Sequence, residues 1–65
     1  MVASQRTSKV LAELRDAGFT PARTVGSHTW WKHDSGAQVS VPDGHRVISP
    51  GVYRDVLNAI KESKK

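Results

Sequence analysis

A chain of 65 residues without a single cysteine must hold itself together by packing alone. Disulfides and thiolate-bound zinc are closed to it. At this length a domain buries only about 60% of the surface that its unfolded chain exposes. One small domain over residues 1–65 is therefore expected, with a core built from few side chains. The apolar runs are two or three residues long, far below the roughly 20 needed to span a membrane. The start, Met1-Val2-Ala3-Ser4-Gln5-Arg6, lacks the apolar stretch of a signal peptide. With no cysteine to favour an oxidising compartment, a cytoplasmic location is the expectation.

Two segments carry helical periodicity. Over Thr7 to Ala17, Val10, Leu11, Leu14 and Ala17 form one apolar stripe. Thr7 is the expected N-cap and Gly18 the expected stop, with Phe19 folding back onto Leu14. Ser49-Pro50 opens the second helix, because serine caps and proline tolerates the first helical position. Its stripe is Val52, Tyr53, Val56, Leu57 and Ile60, and Ile48 with Tyr53 holds the positions of a hydrophobic staple.

Between the helices the period changes to two. Phe19 to Val25 reads as a strand, and Pro21, which cannot donate to a ladder, makes it an edge strand or one that begins late. Gly26-Ser27 is a tight turn into His28–Lys32, rich in β-formers. His33-Asp34-Ser35-Gly36 is a hairpin loop. Ala37 to Val41 is a third strand, with Val39 and Val41 on one face and Gln38 and Ser40 on the other. Pro42-Asp43-Gly44 ends it. The predicted fold is α+β: α-β-β-β-α, a three-stranded antiparallel sheet with both helices on one face. The folded core is expected over residues 7–61, with 1–6 and 62–65 flexible.

The open sheet face is the first functional pointer. Alternation puts His28, Trp30 and Lys32 on one side and Thr29, Trp31 and His33 on the other. A core this small takes one tryptophan, and the pattern alone leaves open which. An exposed aromatic beside cations suits base stacking and phosphate neutralisation. The net charge of +4, from 10 Lys and Arg against 6 Asp and Glu, favours an anionic partner. The three histidines, His28, His33 and His45, do not converge as a metal site, and no phosphate-binding loop or dinucleotide fingerprint is present. No metal or cofactor is expected. A single histidine still supports acid-base chemistry on RNA near neutral pH.

Thr7 through Gly18-Phe19, Arg23-Thr24-Val25-Gly26-Ser27-His28, Lys32-His33-Asp34-Ser35-Gly36, Val39-Ser40-Val41-Pro42 and Ser49-Pro50-Gly51 together resemble the HicA toxin family. The resemblance runs from about Thr7 to Ile60. It implies a double-stranded-RNA-binding-domain-like fold and a ribosome-independent mRNA interferase whose catalytic residue is His28. It also implies a HicB-type antitoxin as protein partner, Trp31 in the core and Trp30 on the open face. The RNA-binding set expected on this basis is Arg23, Gly26, Ser27, Trp30, Lys32, His45 and Arg46. The chain departs from the family pattern at Thr24-Val25, where many relatives carry a polar or basic pair. It departs again at Asp43, where many carry histidine and His45 stands nearby here. Both lower the positive charge along the expected RNA path. The other readings of the same residues are a double-stranded-RNA-binding module without chemistry, a solitary HicA-like protein with weak or no nuclease activity, and a protein-interaction unit with the open face covered.

Overall fold

The structure, a computed structural model, describes residues 3–64. In chain order the elements are β1 (Gln5–Arg6), α1 (Thr7–Asp16), β2 (Thr20–Val25), β3 (His28–Lys32), β4 (Gln38–Val41), β5 (Val47–Ile48) and α2 (Pro50–Ser63). The expected α-β-β-β-α order is present, with β2-β3-β4 as an antiparallel sheet. A second, two-stranded ribbon pairs Gln5 with Ile48 and Arg6 with Val47. Neither strand was expected: two residues are too short to show a period, and their pairing joins positions about 40 apart.

Helix α1 ends as its sequence implies. Gly18 takes φ +93°, its N–H donates to the Arg15 carbonyl at 3.0 Å, and the Phe19 N–H donates to the Leu14 carbonyl at 2.9 Å. This pair of bonds is a Schellman motif, which glycine enters without the steric cost of a Cβ. The start of the helix differs from expectation. Arg6 is the N-cap and offers no side-chain bond. Thr7 is the first helical residue and is buried. Its backbone N–H donates to the Arg46 carbonyl at 2.9 Å, and its hydroxyl donates to the His45 carbonyl. Because β1 runs directly into α1, Thr7 clamps the 45–46 segment instead of capping its own helix. Helix α2 starts as expected, with the Ser49 hydroxyl accepting from the Val52 N–H at 3.4 Å and Pro50 in the first turn.

The core is Val10 and Leu14 of α1, Phe19, Trp31 of β3, Val39 and Val41 of β4, Ile48 of β5, and Val56 and Ala59 of α2. Val52, Tyr53 and Ile60 pack against its edge. Leu57, expected in the apolar stripe, is exposed, and Ala59 takes the buried position.

Tyr53 ties the helices together. Its hydroxyl donates to both carboxylate oxygens of Glu13, at 3.1 and 3.0 Å. Burial first, and then the Glu13 carboxylate, raises the Tyr53 hydroxyl above its ordinary value near 10. A folded-state value above the unfolded one gives stability that is complete below about pH 10 and is lost as pH rises through the higher folded value. Tyr53→Phe is expected to cost about 1 kcal/mol at neutral pH. In urea titrations the gap between wild type and Tyr53→Phe should close at alkaline pH; a gap independent of pH would show that the hydroxyl contributes nothing through Glu13.

Candidate functional site

Val25 pairs with His28, so the β2–β3 hairpin turns on Gly26 and Ser27 alone. Gly26 has φ +60° and Ser27 does not share the positive φ, the pattern of a type II′ turn with glycine at its first central position. The loop is short because its twist matches that of the strands. It delivers His28 as the first residue of β3, exposed and on the side away from the helices.

The burial of β3 alternates strictly. Thr29 and Trp31 are buried while His28, Trp30 and Lys32 are exposed. This decides between the tryptophans: Trp31 is 2% exposed and Trp30 39%. Trp30 lies between Arg23 of β2 and Ser40 of β4, and Lys32 lies between Thr20 and Gln38. Arg23, Trp30, Lys32 and Gln38, with Ala22, line one cleft. No acidic residue stands among the cross-strand partners of this face, and Arg23 and Lys32 form no ion pair among the described residues.

A bulge makes this arrangement possible. Pro21 opposes Trp31, yet Arg23 opposes Trp30, so Ala22 is an extra residue on β2. Phe19 and Arg23 are four apart and would share one face under strict alternation. The bulge turns Phe19 into the core and leaves Arg23 and Val25 on the open face. An extra residue on an edge strand disturbs no third strand, which is why Pro21 and the bulge sit together there.

The remaining candidates fall in different places. His33 lies at the far end of β3, roughly 16 Å along the strand from His28. Its Nδ1 accepts from the Ser35 N–H at 3.0 Å, and its ring sits 5.2 Å from that of Phe19. It closes the β3–β4 loop and takes no part in the open face. His45 and Arg46 lie on the segment between β4 and β5. Arg46 lines a second cleft with Arg6, Thr7, Ser8 and Val47, so it does not join Arg23, Trp30 and Lys32. The segment carrying His45 comes back to the Gly26–Ser27 turn: the Gly44 N–H donates to the Ser27 carbonyl at 3.1 Å. Sequence reasoning missed this contact and the placement of Arg6 beside Arg46, for which no local pattern was a signal. The alternation of Gln38 and Ser40 did place those two on the open face.

Among the described residues no three His, Cys, Asp or Glu side chains gather as a metal-ligand set, and no helix is long and apolar enough to cross a membrane. No curated protein and no solved structure matches the chain significantly. Residues 7–62 match the family described as the HicA toxin of bacterial toxin–antitoxin systems, a span that takes in α1, the three-stranded sheet, the Gly26-Ser27-His28 turn and all of α2 but its last residue. This protein therefore belongs to the HicA toxin family.

Proposed function

We propose that the chain is an mRNA interferase: a metal-independent endoribonuclease of the cytoplasm, held in check by a HicB-type antitoxin that covers the open sheet face. The observation that carries this reading is the exposed His28 at the head of a strand face that also holds Trp30, Lys32 and Arg23 and has no acid among them. Trp30 offers a plane for base stacking. Arg23 and Lys32 neutralise the phosphate and the charge that grows on it during reaction. The Ser27 hydroxyl and the turn amides border the same point. His28 performs one of the two proton transfers as the ribose 2′-oxygen attacks the adjacent phosphorus.

The test is cleavage of a defined single-stranded RNA by the purified chain in excess EDTA. Cleavage is expected to persist and to leave a 2′,3′-cyclic phosphate and a 5′-hydroxyl. A substrate with a 2′-deoxy sugar at the cut position should stay whole. Binding that weakens steeply with salt while the RNA remains intact would instead assign the non-catalytic RNA-binding reading, which the same α-β-β-β-α order serves by shape and phosphate contacts.

A further inference from the structure

Cleavage of RNA through its own 2′-hydroxyl needs two proton movements. One proton leaves the 2′-oxygen as the O2′–P bond forms, and one reaches the 5′-oxygen as the P–O5′ bond breaks. His28 accounts for one of them. The sequence offers His33, His45 or water for the other. The structure removes His33, which lies at the opposite end of β3 and whose Nδ1 is engaged by the Ser35 N–H.

His45 is in a different position. Gly44, directly before it, is pressed onto Ser27, directly before His28. Their backbones share the 3.1 Å hydrogen bond from the Gly44 N–H. A Cβ on Gly44 would stand 2.8 Å from the Ser27 Cβ and 3.4 Å from its Cα, a separation that real side chains do not reach. Gly44 has no positive φ, so its glycine answers the close approach and not a backbone need. One trans-peptide step on each side of this contact holds the two histidine Cα atoms within roughly 12–13 Å. Within that limit two imidazoles are long enough to reach one phosphate placed between them. The far side of His45 is also fixed: its carbonyl accepts the buried Thr7 hydroxyl, and Thr7 holds the Arg46 carbonyl as well. The loop is thus anchored to α1 on one side and to the catalytic turn on the other, while both histidine side chains are exposed.

We infer that His45 is the second proton-transfer group of the active site, delivered to His28 by the Gly44–Ser27 contact. The inference rests on the endoribonuclease reading of His28. One histidine takes the proton of the 2′-hydroxyl and the other gives a proton to the departing 5′-oxygen; the pair ends with its proton exchanged and returns to its starting state when the cyclic phosphate is hydrolysed or solvent re-equilibrates it. Gly44 and Thr7 are positioning residues, since they touch the loop and not the reacting atoms. The charged groups nearest in the chain and across the clamp are Asp43 and Arg46 on the loop and Arg6 on β1.

The experiment compares wild type, His45→Ala and His28→Ala on two RNAs, one ordinary and one with sulfur replacing the bridging 5′-oxygen at the cut site. Sulfur leaves without needing a proton, so a variant lacking the acid recovers on it and a variant lacking the base does not. Single-turnover cleavage by His45→Ala is expected to fall about 10²-fold or more on ordinary RNA, with KM little changed. One of the two variants, and only one, should recover on the sulfur substrate. The bell-shaped pH–rate profile of wild type should lose one limb in each variant. Gly44→Ala should lower turnover in the same direction without altering which limb remains. If His45→Ala keeps both limbs and near-wild-type turnover while His28→Ala is inactive, the inference fails and the reading of His28 stands. If wild type does not cut either RNA, the underlying reading fails.

Discussion

Replacing His28 by alanine is expected to slow RNA cleavage by about 10²–10⁴-fold, the usual worth of a positioned acid or base, while RNA affinity and thermal stability stay close to wild type. The separation of effects follows from where His28 sits. It is exposed, its side chain forms no hydrogen bond with another described residue, and the turn before it is shaped by Gly26. Nothing in the core depends on the imidazole, so the variant removes chemistry and leaves the scaffold. On the proposed reading, phosphate binding stays with Arg23 and Lys32, and stacking stays with Trp30. Single-turnover cleavage and filter binding on one RNA measure the two effects separately. In cells, expression of wild type should stop growth and His28→Ala should not. Equal toxicity and equal cleavage by the two proteins would remove His28 from the chemistry.

The second large effect belongs to stability. Trp31→Ala is expected to cost about 3–5 kcal/mol, against a total of roughly 3–10 kcal/mol for a domain of this length. The loss takes about a third or more of the total stability, and all of it at the low end of that range. Trp31 is the largest fully buried side chain. It stands between Pro21 and Val39 across the sheet, with the Arg15 guanidinium 5.5 Å from its ring centre. Its indole N–H is buried without a partner, so Trp31→Phe, which removes that donor and keeps most of the ring, should cost much less than alanine. Trp30→Ala gives the opposite pattern. Stability should barely move, because the ring is partly in solvent. RNA affinity should drop roughly 5–150-fold, from the loss of one base stack worth about 1–3 kcal/mol. Circular-dichroism melts of the three variants, with RNA binding by Trp30→Ala, check both halves. A Trp30 variant that unfolds and a Trp31 variant that does not would reverse the assignment of the two sheet faces.

What could be read from the chain follows the range of the interactions. The Schellman ending at Gly18-Phe19, the Ser49-Pro50 start and the Gly26-Ser27 turn depend on residues within a few positions of one another. Their physics is complete in the local sequence. The alternation of β3 is also local, and it placed Trp30 and Trp31 on opposite faces. Which of those faces is the core needed the helices: the resemblance implied Trp31, and its 2% exposure agrees. The Gly-Ser-His turn in its setting pointed to the family that residues 7–62 match.

Three features were out of reach. The ribbon of Gln5–Arg6 with Val47–Ile48 is too short to show a pattern. Thr7 looks like a cap by residue type, but its hydroxyl is taken by the His45 carbonyl across the fold. Gly44 reads as a turn glycine after Pro42-Asp43, whereas its missing side chain is what lets it touch Ser27.

By itself, then, the sequence determined the order of the two helices and the three strands between them, the C-terminal end of α1, the start of α2 and the turn that presents His28, because backbone conformation and capping are settled between near neighbours. Tertiary structure decided which tryptophan is buried, where the Ala22 bulge redirects β2, and that Gly44 returns to Ser27. Those outcomes depend on surfaces that meet only in the folded chain, where shape and excluded volume act and no local pattern records them.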